Sequence, residues 1–206
     1  MRVEFILWDI GRVLLDWEPE RAYVSHIADP VQRAAFLADV CNMDWHCRHD
    51  AGVSFADNAA PLIEKHPEHA ANIRVWSANW FDMFDGYIDG TPALFDRLEA
   101  TGIAQYALSN MPAEIWPEMK IRFPLLARFK DAIISGEEGL IKPDPALYKI
   151  ALARMGNPPA AHVLFIDDSL PNIDAARRLG FQTHHLKTAA GLETALIGRK
   201  LLPATS

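Results

Sequence analysis

The chain has 206 residues, half of them hydrophobic, and its 27 acidic and 20 basic residues give a formal net charge of −7. This length allows one substantial core with a small second lobe and argues against a disordered chain. The negative charge opposes generic binding to nucleic acid or to an anionic membrane surface. No apolar stretch approaches the roughly 20 residues that cross a bilayer, and there are only two cysteines, so we predict a cytoplasmic protein.

Five short apolar runs, each bounded by turn or helix signals, are predicted to be strands. They cover residues 3–8, 104–109, 131–135, 162–166 and 181–186. Helix patterns with an early proline or a terminal glycine lie between them. These patterns cover residues 91–101, 112–122, 145–155 and 171–179. Strands that alternate with helices predict a doubly wound α/β core around a parallel sheet.

The interval 17–90 differs from the rest of the chain because it has helix-like patterns but no convincing strand. The patterns lie around residues 20–28, 31–40, 54–66 and 68–84. We therefore predict a helical insert, or cap, at residues 17–90, and a core formed by residues 1–16 and 91–206. Trp76, Trp80 and Phe84 have the four-residue spacing of a packed helical face.

Residues 44–49 of the insert fall between predicted helices, where a loop could hang over a crevice. Tryptophan serves in packing more often than in ligand recognition, so Trp45 is expected to pack. His46 and His49 are expected to be exposed rather than to contact a substrate.

Polar residues stand where the predicted strands end or shortly after. They are Asp9, Ser109, Asn110, Lys142, Asp167 and Asp168. Because ligands of open parallel sheets bind at the carboxyl ends of the strands, we expect these side chains to converge on one crevice.

Each of these residue types fits a step of phosphoryl transfer. The carboxylate of Asp9 is ionised near neutral pH and can attack phosphorus without a base to activate it. Asp167 and Asp168 supply hard oxygen ligands for Mg²⁺, which relieves the repulsion between an anionic nucleophile and an anionic ester. Asp167 has a second open role, in which it orients Lys142. The Lys142 ammonium would balance the charges of Asp9 and of the phosphate.

Three further residues are candidates for substrate binding. Ser109 could donate its hydroxyl to a phosphate oxygen, and the backbone N–H of Asn110 could be a second donor. Arg12 follows the predicted nucleophile turn and could contact either the substrate or the cap.

In combination and order, these residues resemble the four motifs of the haloacid dehalogenase-like hydrolase superfamily. The pattern Asp-x-Gly-x-Val that begins at Asp9 and the segment 169–180 look most like a bacterial branch similar to glucose-1-phosphate phosphatase and to the phosphatase domain of soluble epoxide hydrolase. The resemblance implies a Rossmann-like core with a small helical cap, Mg²⁺ as cofactor and an aspartyl-phosphate intermediate on Asp9. It also implies that the backbone carbonyl of Gly11 is a metal ligand.

Gly11 departs from the usual phosphatase pattern, which has a second aspartate at this position to protonate the leaving group and later activate water. Positioned proton transfer is worth roughly 10²–10⁴-fold in rate. Its loss implies slow turnover, a good leaving group or an acid supplied by the cap. The branch that this chain resembles also has glycine here, and the substitution argues against a phosphomutase.

Three functions remain open on the sequence. The first is a phosphatase for a small phosphate monoester, with a sugar phosphate as the first candidate, acting as a monomer or small homo-oligomer. The second is a 2-haloacid dehalogenase that uses Asp9 without a metal, which Gly11 permits but the pair Asp167 and Asp168 opposes. The third is a catalytically silent binding protein, which the missing acid suggests.

Overall fold

The centre of the molecule is a five-stranded parallel sheet. The computed structural model describes residues 2–203. From one edge to the other, the strands are β5 (Ala132–Ile134), β4 (Ala104–Ser109), β1 (Phe5–Trp8), β6 (Val163–Asp167) and β7 (Gln182–His185). All four strand pairs are parallel. The five predicted strands are confirmed, and the fold is the Rossmann-like α/β class that the sequence predicts.

A two-stranded antiparallel ribbon lies where the chain leaves the core and where it returns. It pairs β2 (Leu15–Trp17) with β3 (Phe84–Tyr87). The prediction that residues 17–90 contain no strand is therefore wrong for β3. These strands of three and four residues carry no alternating pattern, and each depends on the other for its hydrogen bonds.

Between β2 and β3 the chain is helical, as predicted. The helices are α1 (Pro30–Asp39), α2 (Met43–Asp50), α3 (Phe55–Lys65) and α4 (Ala70–Ala78), and single 3₁₀ turns occupy Pro19–Tyr23, Pro67–His69 and Trp80–Met83. The division into a core and a cap stays a proposal. None of the described helices is long and apolar enough to span a bilayer.

Two helix predictions in this part of the chain need correction. The pattern around residues 20–28 forms a 3₁₀ turn rather than an α-helix, and the pattern at 68–84 breaks after Ala78. The side chains still pack as their spacing indicates. Trp76 and Trp80 are buried with ring centroids 6.3 Å apart, and Phe84 is partly buried against the same core.

Helices cover both faces of the sheet. They are α5 (Thr91–Ala100), α6 (Trp116–Arg122), α7 (Ser135–Glu138), α8 (Pro145–Arg154), α9 (Leu170–Arg178) and α10 (Ala189–Gly198). Successive side chains of β1 point to opposite faces, so Trp8 packs with Phe95 of α5, while Leu7 belongs to the apolar cluster that includes Tyr148 of α8. The two apolar layers hold the carboxyl ends of the strands in fixed positions beneath the insert.

Ser135 joins α2 of the insert to the core. Its hydroxyl accepts a hydrogen bond from the backbone N–H of Met111 (2.9 Å) and donates one to the backbone carbonyl of Asp50 (2.6 Å). The contact is close: a Cβ atom on Gly52, where φ is +94°, would lie 2.8 Å from the carbonyl oxygen of Gly136. Since Gly52 lacks a side chain, the end of α2 can approach the backbone of α7 this closely.

We expect Ser135→Ala to lower the free energy of unfolding by about 1–3 kcal/mol, because it leaves the Met111 N–H and the Asp50 carbonyl buried without a partner. For a chain of this size, each kcal/mol corresponds to roughly 2–4 °C in melting temperature. Thermal unfolding of Ser135→Ala measures the effect. Ser77→Ala, which removes an exposed hydroxyl bonded to its own helix, is the control and should melt like the wild type. Equal melting temperatures for all three proteins would contradict this role of Ser135.

Candidate active site

Asp9 lies directly after the central strand β1. Its backbone N–H donates to the carbonyl of Ile166 (2.9 Å), which continues the pairing of β1 with β6 past the end of the strand. Its Oδ1 accepts from the backbone N–H of Ile10 (2.7 Å) and lies 2.8 Å from Lys142 Nζ. The carboxylate is therefore held by its own turn and by a buried cation.

Lys142 is buried between two carboxylates. Its Nζ lies 2.8 Å from Asp9 Oδ1 and 2.8 Å from Asp167 Oδ2. The Asn110 side chain fixes its backbone, because Asn110 Nδ2 donates to the Lys142 carbonyl (3.0 Å) and Asn110 Oδ1 accepts from the Lys142 N–H (2.7 Å). This role of the Asn110 side chain was not predicted from the sequence. The backbone N–H of Asn110 stays a predicted substrate donor.

Asp167 is fully buried, and both of its oxygens are occupied. Besides Lys142, it accepts hydrogen bonds from the backbone N–H of Ser169 (2.8 Å) and from Asn172 Nδ2, which lies 3.1 Å from both oxygens. These bonds make Asp167 well suited to orienting Lys142. Its neighbour Asp168 is only partly buried, and its pKa is raised by burial and by the adjacent Asp167 carboxylate.

Asp9, Asp167 and Asp168 form a compact group of acids. Each offers an oxygen within 4.8 Å of the oxygens of the other two. Carboxylate oxygens are the ligands that Mg²⁺ takes in proteins, together with waters and substrate phosphates. Gly11, the other predicted ligand, lies in the wall of the same cavity. The donor set therefore fits a magnesium ion, and the individual ligand roles stay predictions.

Burial sets the protonation of the Asp9–Lys142 pair. Desolvation raises the pKa of Asp9 to about 7, against the Lys142 ammonium, which lowers it. Burial also opposes the charged form of Lys142, but the contacts with Asp167 and Asp9 outweigh it and raise the Lys142 pKa. The lysine is thus a permanent cation, and a larger fraction of Asp9 is in the ionised form that can attack whenever added positive charge stabilises its carboxylate.

A cavity of about 220 Å³ opens above this group. Its core wall includes Asp9, Gly11, Arg12, Ser109, Asn110, Lys142 and Asp168. The structure thus brings all but one of the predicted site residues to one cavity. The exception is Asp167, which is not among the residues of the wall. The roof comes from the insert and includes Met43, His46, Cys47, Asp50 and Trp80.

Arg12 lies at the rim of the cavity, and its contacts are with the segment that leads into the insert. Its backbone has a positive φ of 57°. Its guanidinium lies 5.4 Å from the Trp17 ring centroid, with Nη2 3.3 Å from a Glu18 carboxylate oxygen. Two roles were predicted for Arg12, contact with the substrate and contact with the cap, and these contacts favour the second. A contact with substrate stays a prediction.

Residues 44–49 do not form the predicted loop, because they belong to helix α2. The Asn42 side chain caps the helix by accepting from the Trp45 N–H (2.9 Å). Trp45 is buried, as expected, but the prediction that His46 and His49 are exposed is wrong, since they are only 4% and 1% exposed. Two sequence signals mark the bounds of α2: Asn42, which caps its start, and Gly52, which follows its end.

The two histidines of α2 have different surroundings. His49 lies between Asn58 Nδ2, 3.1 Å from its Nε2, and the Val53 carbonyl, 3.4 Å from its Nδ1, and these contacts join α2 to α3. His46 lines the cavity, with its ring 5.3 Å from the Trp17 ring centroid. Its Nε2 lies 3.3 Å from Oδ2 of Asp50. Asp50 was not among the site residues predicted from the sequence.

Comparisons with known proteins agree on one family. A family model described as haloacid dehalogenase-like hydrolase matches residues 8–180. The sesquiterpene phosphatase astK of Aspergillus oryzae is 31% identical over 94 residues, which are 46% of this chain and 47% of that protein. The chain therefore spans about half the length of this curated relative.

Similar folds occur among solved structures. The HAD family enzyme BT-2542 of Bacteroides thetaiotaomicron, in complex with magnesium and inorganic phosphate, has a TM-score of 0.71 at 21% identity, covering 90% of this chain and 95% of that one. A HAD-like family hydrolase of Porphyromonas gingivalis has a TM-score of 0.71 at 19% identity, covering 96% and 98%. At these identities the likeness is one of fold.

Proposed function

The chain belongs to the haloacid dehalogenase-like hydrolases, and from this premise we propose that it is a magnesium-dependent phosphomonoesterase whose nucleophile is Asp9. The observation that carries the proposal is the group of three acids, Asp9, Asp167 and Asp168, beside the buried cation Lys142. A metal-free dehalogenase has no use for two further acids at this place. The name of the relative astK, a phosphatase, supports the same reaction class.

Asp9, Asp168 and the backbone carbonyl of Gly11 would hold the magnesium ion, with Asp167 behind them orienting Lys142. When bound, Mg²⁺ supplies positive charge that neutralises the phosphate and the attacking carboxylate. The chain's own cation adds to this positive charge, because Lys142 Nζ contacts Asp9 directly.

The chain's own residues then divide the work of two displacements. Oδ1 of Asp9 is held by Ile10 and Lys142, so Oδ2 is the oxygen that would attack phosphorus. The bond from phosphorus to the ester oxygen breaks, and that oxygen leaves with a proton as the alcohol. Water next attacks the aspartyl phosphate and releases inorganic phosphate, which regenerates Asp9. The Ser109 hydroxyl and the Asn110 N–H would bind the phosphate oxygens throughout.

The cavity wall also favours one class of ester. Away from the acids, much of its lining is apolar and includes Trp17, Met43, Trp80, Phe84 and Met111. The hydroxyl groups of a sugar would lose their hydrogen bonds to water against such a wall. We therefore propose a phosphate ester of a small apolar or aromatic alcohol in preference to a sugar phosphate, and the word sesquiterpene in the name of astK, which denotes an apolar group, is consistent with this.

We expect purified protein to release phosphate from benzyl phosphate in the presence of Mg²⁺ and not in EDTA. The kcat/KM for benzyl phosphate should exceed that for glucose 6-phosphate by at least about 10-fold. A 10-fold ratio corresponds to roughly 1.4 kcal/mol, which is the free energy gained by burying one or two additional carbon groups against the apolar wall. Both esters have a primary alcohol as leaving group, so the comparison isolates the effect of the cavity wall on substrate preference. Preference for glucose 6-phosphate would overturn the proposal of an apolar substrate.

Metal-independent chloride release from 2-chloropropionate would instead identify a dehalogenase, and the absence of activity in all assays would favour a binding protein.

A further inference from the structure

Among the described residues, the core side of the cavity offers no acid that is free to protonate the leaving group. Gly11 stands where the usual phosphatase pattern has an aspartate, and a Cβ atom on Gly11 would meet no other atom within 4 Å. The space that such a side chain would fill is therefore open. Asp9 and Asp168, the acids in the core wall, are already assigned to attack and to the metal.

Asp50 is a carboxyl group in the roof of the same cavity. It ends helix α2 and is 4% exposed. The Ser135 hydroxyl donates to its backbone carbonyl (2.6 Å), so its position relative to the core is fixed. Its Oδ2 lies 3.3 Å from His46 Nε2, while its Oδ1 is buried and has no hydrogen-bond partner among the described residues. A buried oxygen without a partner is costly, unless it is protonated or meets a ligand.

We propose that Asp50 is the general acid of this enzyme and replaces the aspartate that is missing at Gly11. As the bond from phosphorus to the ester oxygen breaks, the Asp50 carboxyl proton passes to that oxygen and the alcohol leaves. The Asp50 carboxylate then takes a proton from the water that attacks the aspartyl phosphate, which restores the acid. The inference rests on the proposed phosphatase function.

The surroundings of Asp50 favour its protonated form before the reaction. Burial raises its pKa to about 7, opposed by the ammonium of Lys142 from the core. Burial also lowers the pKa of His46 to about 3, so this neighbour, whose Nε2 lies 3.3 Å from Oδ2, is neutral and does not favour the ionised form of Asp50. Burial raises the pKa of the Cys47 thiol, and the nearby Asp50 adds to that shift. Near neutral pH, Lys142 is therefore the charged group that faces Asp50.

The test compares two esters that differ in their need for an acid. A p-nitrophenolate ion leaves without protonation, whereas benzyl alcohol does not. Asp50→Asn should lower kcat/KM for benzyl phosphate about 10²–10³-fold and that for p-nitrophenyl phosphate less than about 10-fold. Asp44→Asn makes the same chemical change at an exposed position of α2 and should alter neither value.

The pH profile and a rescue variant make the test specific. In the wild type, kcat/KM for benzyl phosphate should fall as pH rises above about 7, because the acid is lost, and Asp50→Asn should lack this decline. Gly11→Asp in the Asp50→Asn background should restore benzyl phosphate hydrolysis at least about 10-fold, since the position has room for a side chain.

Two outcomes would overturn the role of Asp50 while leaving the phosphatase intact: an unchanged rate with benzyl phosphate, or equal losses with both esters. Retained hydrolysis of p-nitrophenyl phosphate shows that the variant is folded. If the wild type with Mg²⁺ released phosphate from neither ester, the proposed function itself would fail, and the role of Asp50 with it.

Discussion

Asp9→Asn is expected to abolish phosphate release, with a fall in kcat of about 10⁴-fold or more. The amide keeps the size of the side chain and its contact with Ile10, but it cannot form the acyl phosphate bond that the proposed reaction needs. Phosphate release from p-nitrophenyl phosphate in Mg²⁺ measures the effect. Asp89→Asn, at an exposed position before α5, is the control and should keep full activity. Activity of Asp9→Asn within 10-fold of the wild type would rule out Asp9 as the nucleophile.

The same variant should be more stable than the wild type without metal, and more so at high pH. The Asp9 pKa is raised by burial to about 7 from 3.8, so the folded protein binds more protons than the unfolded chain between these values. Wild-type stability therefore falls as pH rises through this range, by an amount on the order of a few kcal/mol. Asparagine does not titrate. Urea unfolding in EDTA should show a larger gain for Asp9→Asn at about pH 8 than at about pH 5, and a loss of stability at pH 8 would contradict this account.

This opposition between stability and activity follows from where Asp9 lies. A carboxylate in a buried site between apolar layers is destabilising until a cation joins it, and Lys142 compensates only in part. A bound Mg²⁺ would add the charge that is missing, so metal binding should stabilise the folded wild type more than it stabilises Asp9→Asn.

The parallel sheet and the core wall of the site could be predicted because their signals are local. The apolar run that forms β1 is continuous, and Asp9 interrupts it at the point where the strand ends. The apolar run that forms β6 is also continuous, and it ends at the pair Asp167 and Asp168. In a parallel sheet, such strand ends share one edge, so residues far apart in the chain were expected together.

The cap side of the site could not be predicted in the same way. Besides Trp45, helix α2 buries His46, His49 and Asp50, so its buried face is largely polar and gives no hydrophobic period. The burial of these side chains depends on the aromatic rings and on Asn58, which other segments supply. The ribbon strands β2 and β3 pose a related problem, because each exists only through its partner. Asp50 belongs to no motif, and it becomes a candidate only once the fold has set it in the cavity above Lys142.

Lys142→Met is expected to lower the free energy of unfolding by about 3–5 kcal/mol near pH 8, the usual cost of removing one partner of a buried ion pair. Methionine fills a similar volume, but Asp9 and Asp167 are left as neighbouring buried carboxylates without a cation. Asp9 can escape the cost by binding a proton. Its folded pKa, already raised by burial, therefore rises further, and the stability deficit should shrink as the pH is lowered toward about 5.

Adding Asp167→Asn to Lys142→Met separates the structural role of the lysine from its chemical one. The double variant has one buried carboxylate fewer, and Asn172 can still bond to the new amide, so part of the lost stability should return in urea unfolding with EDTA. Phosphate release should stay at least about 10²-fold below the wild type, because no cation balances the transferred phosphoryl group. Lys149→Met, at an exposed position of α8, controls for loss of a lysine charge. If activity returned together with stability, Lys142 would be a structural counter-ion only, and charge stabilisation in the reaction would have to come from elsewhere in the site.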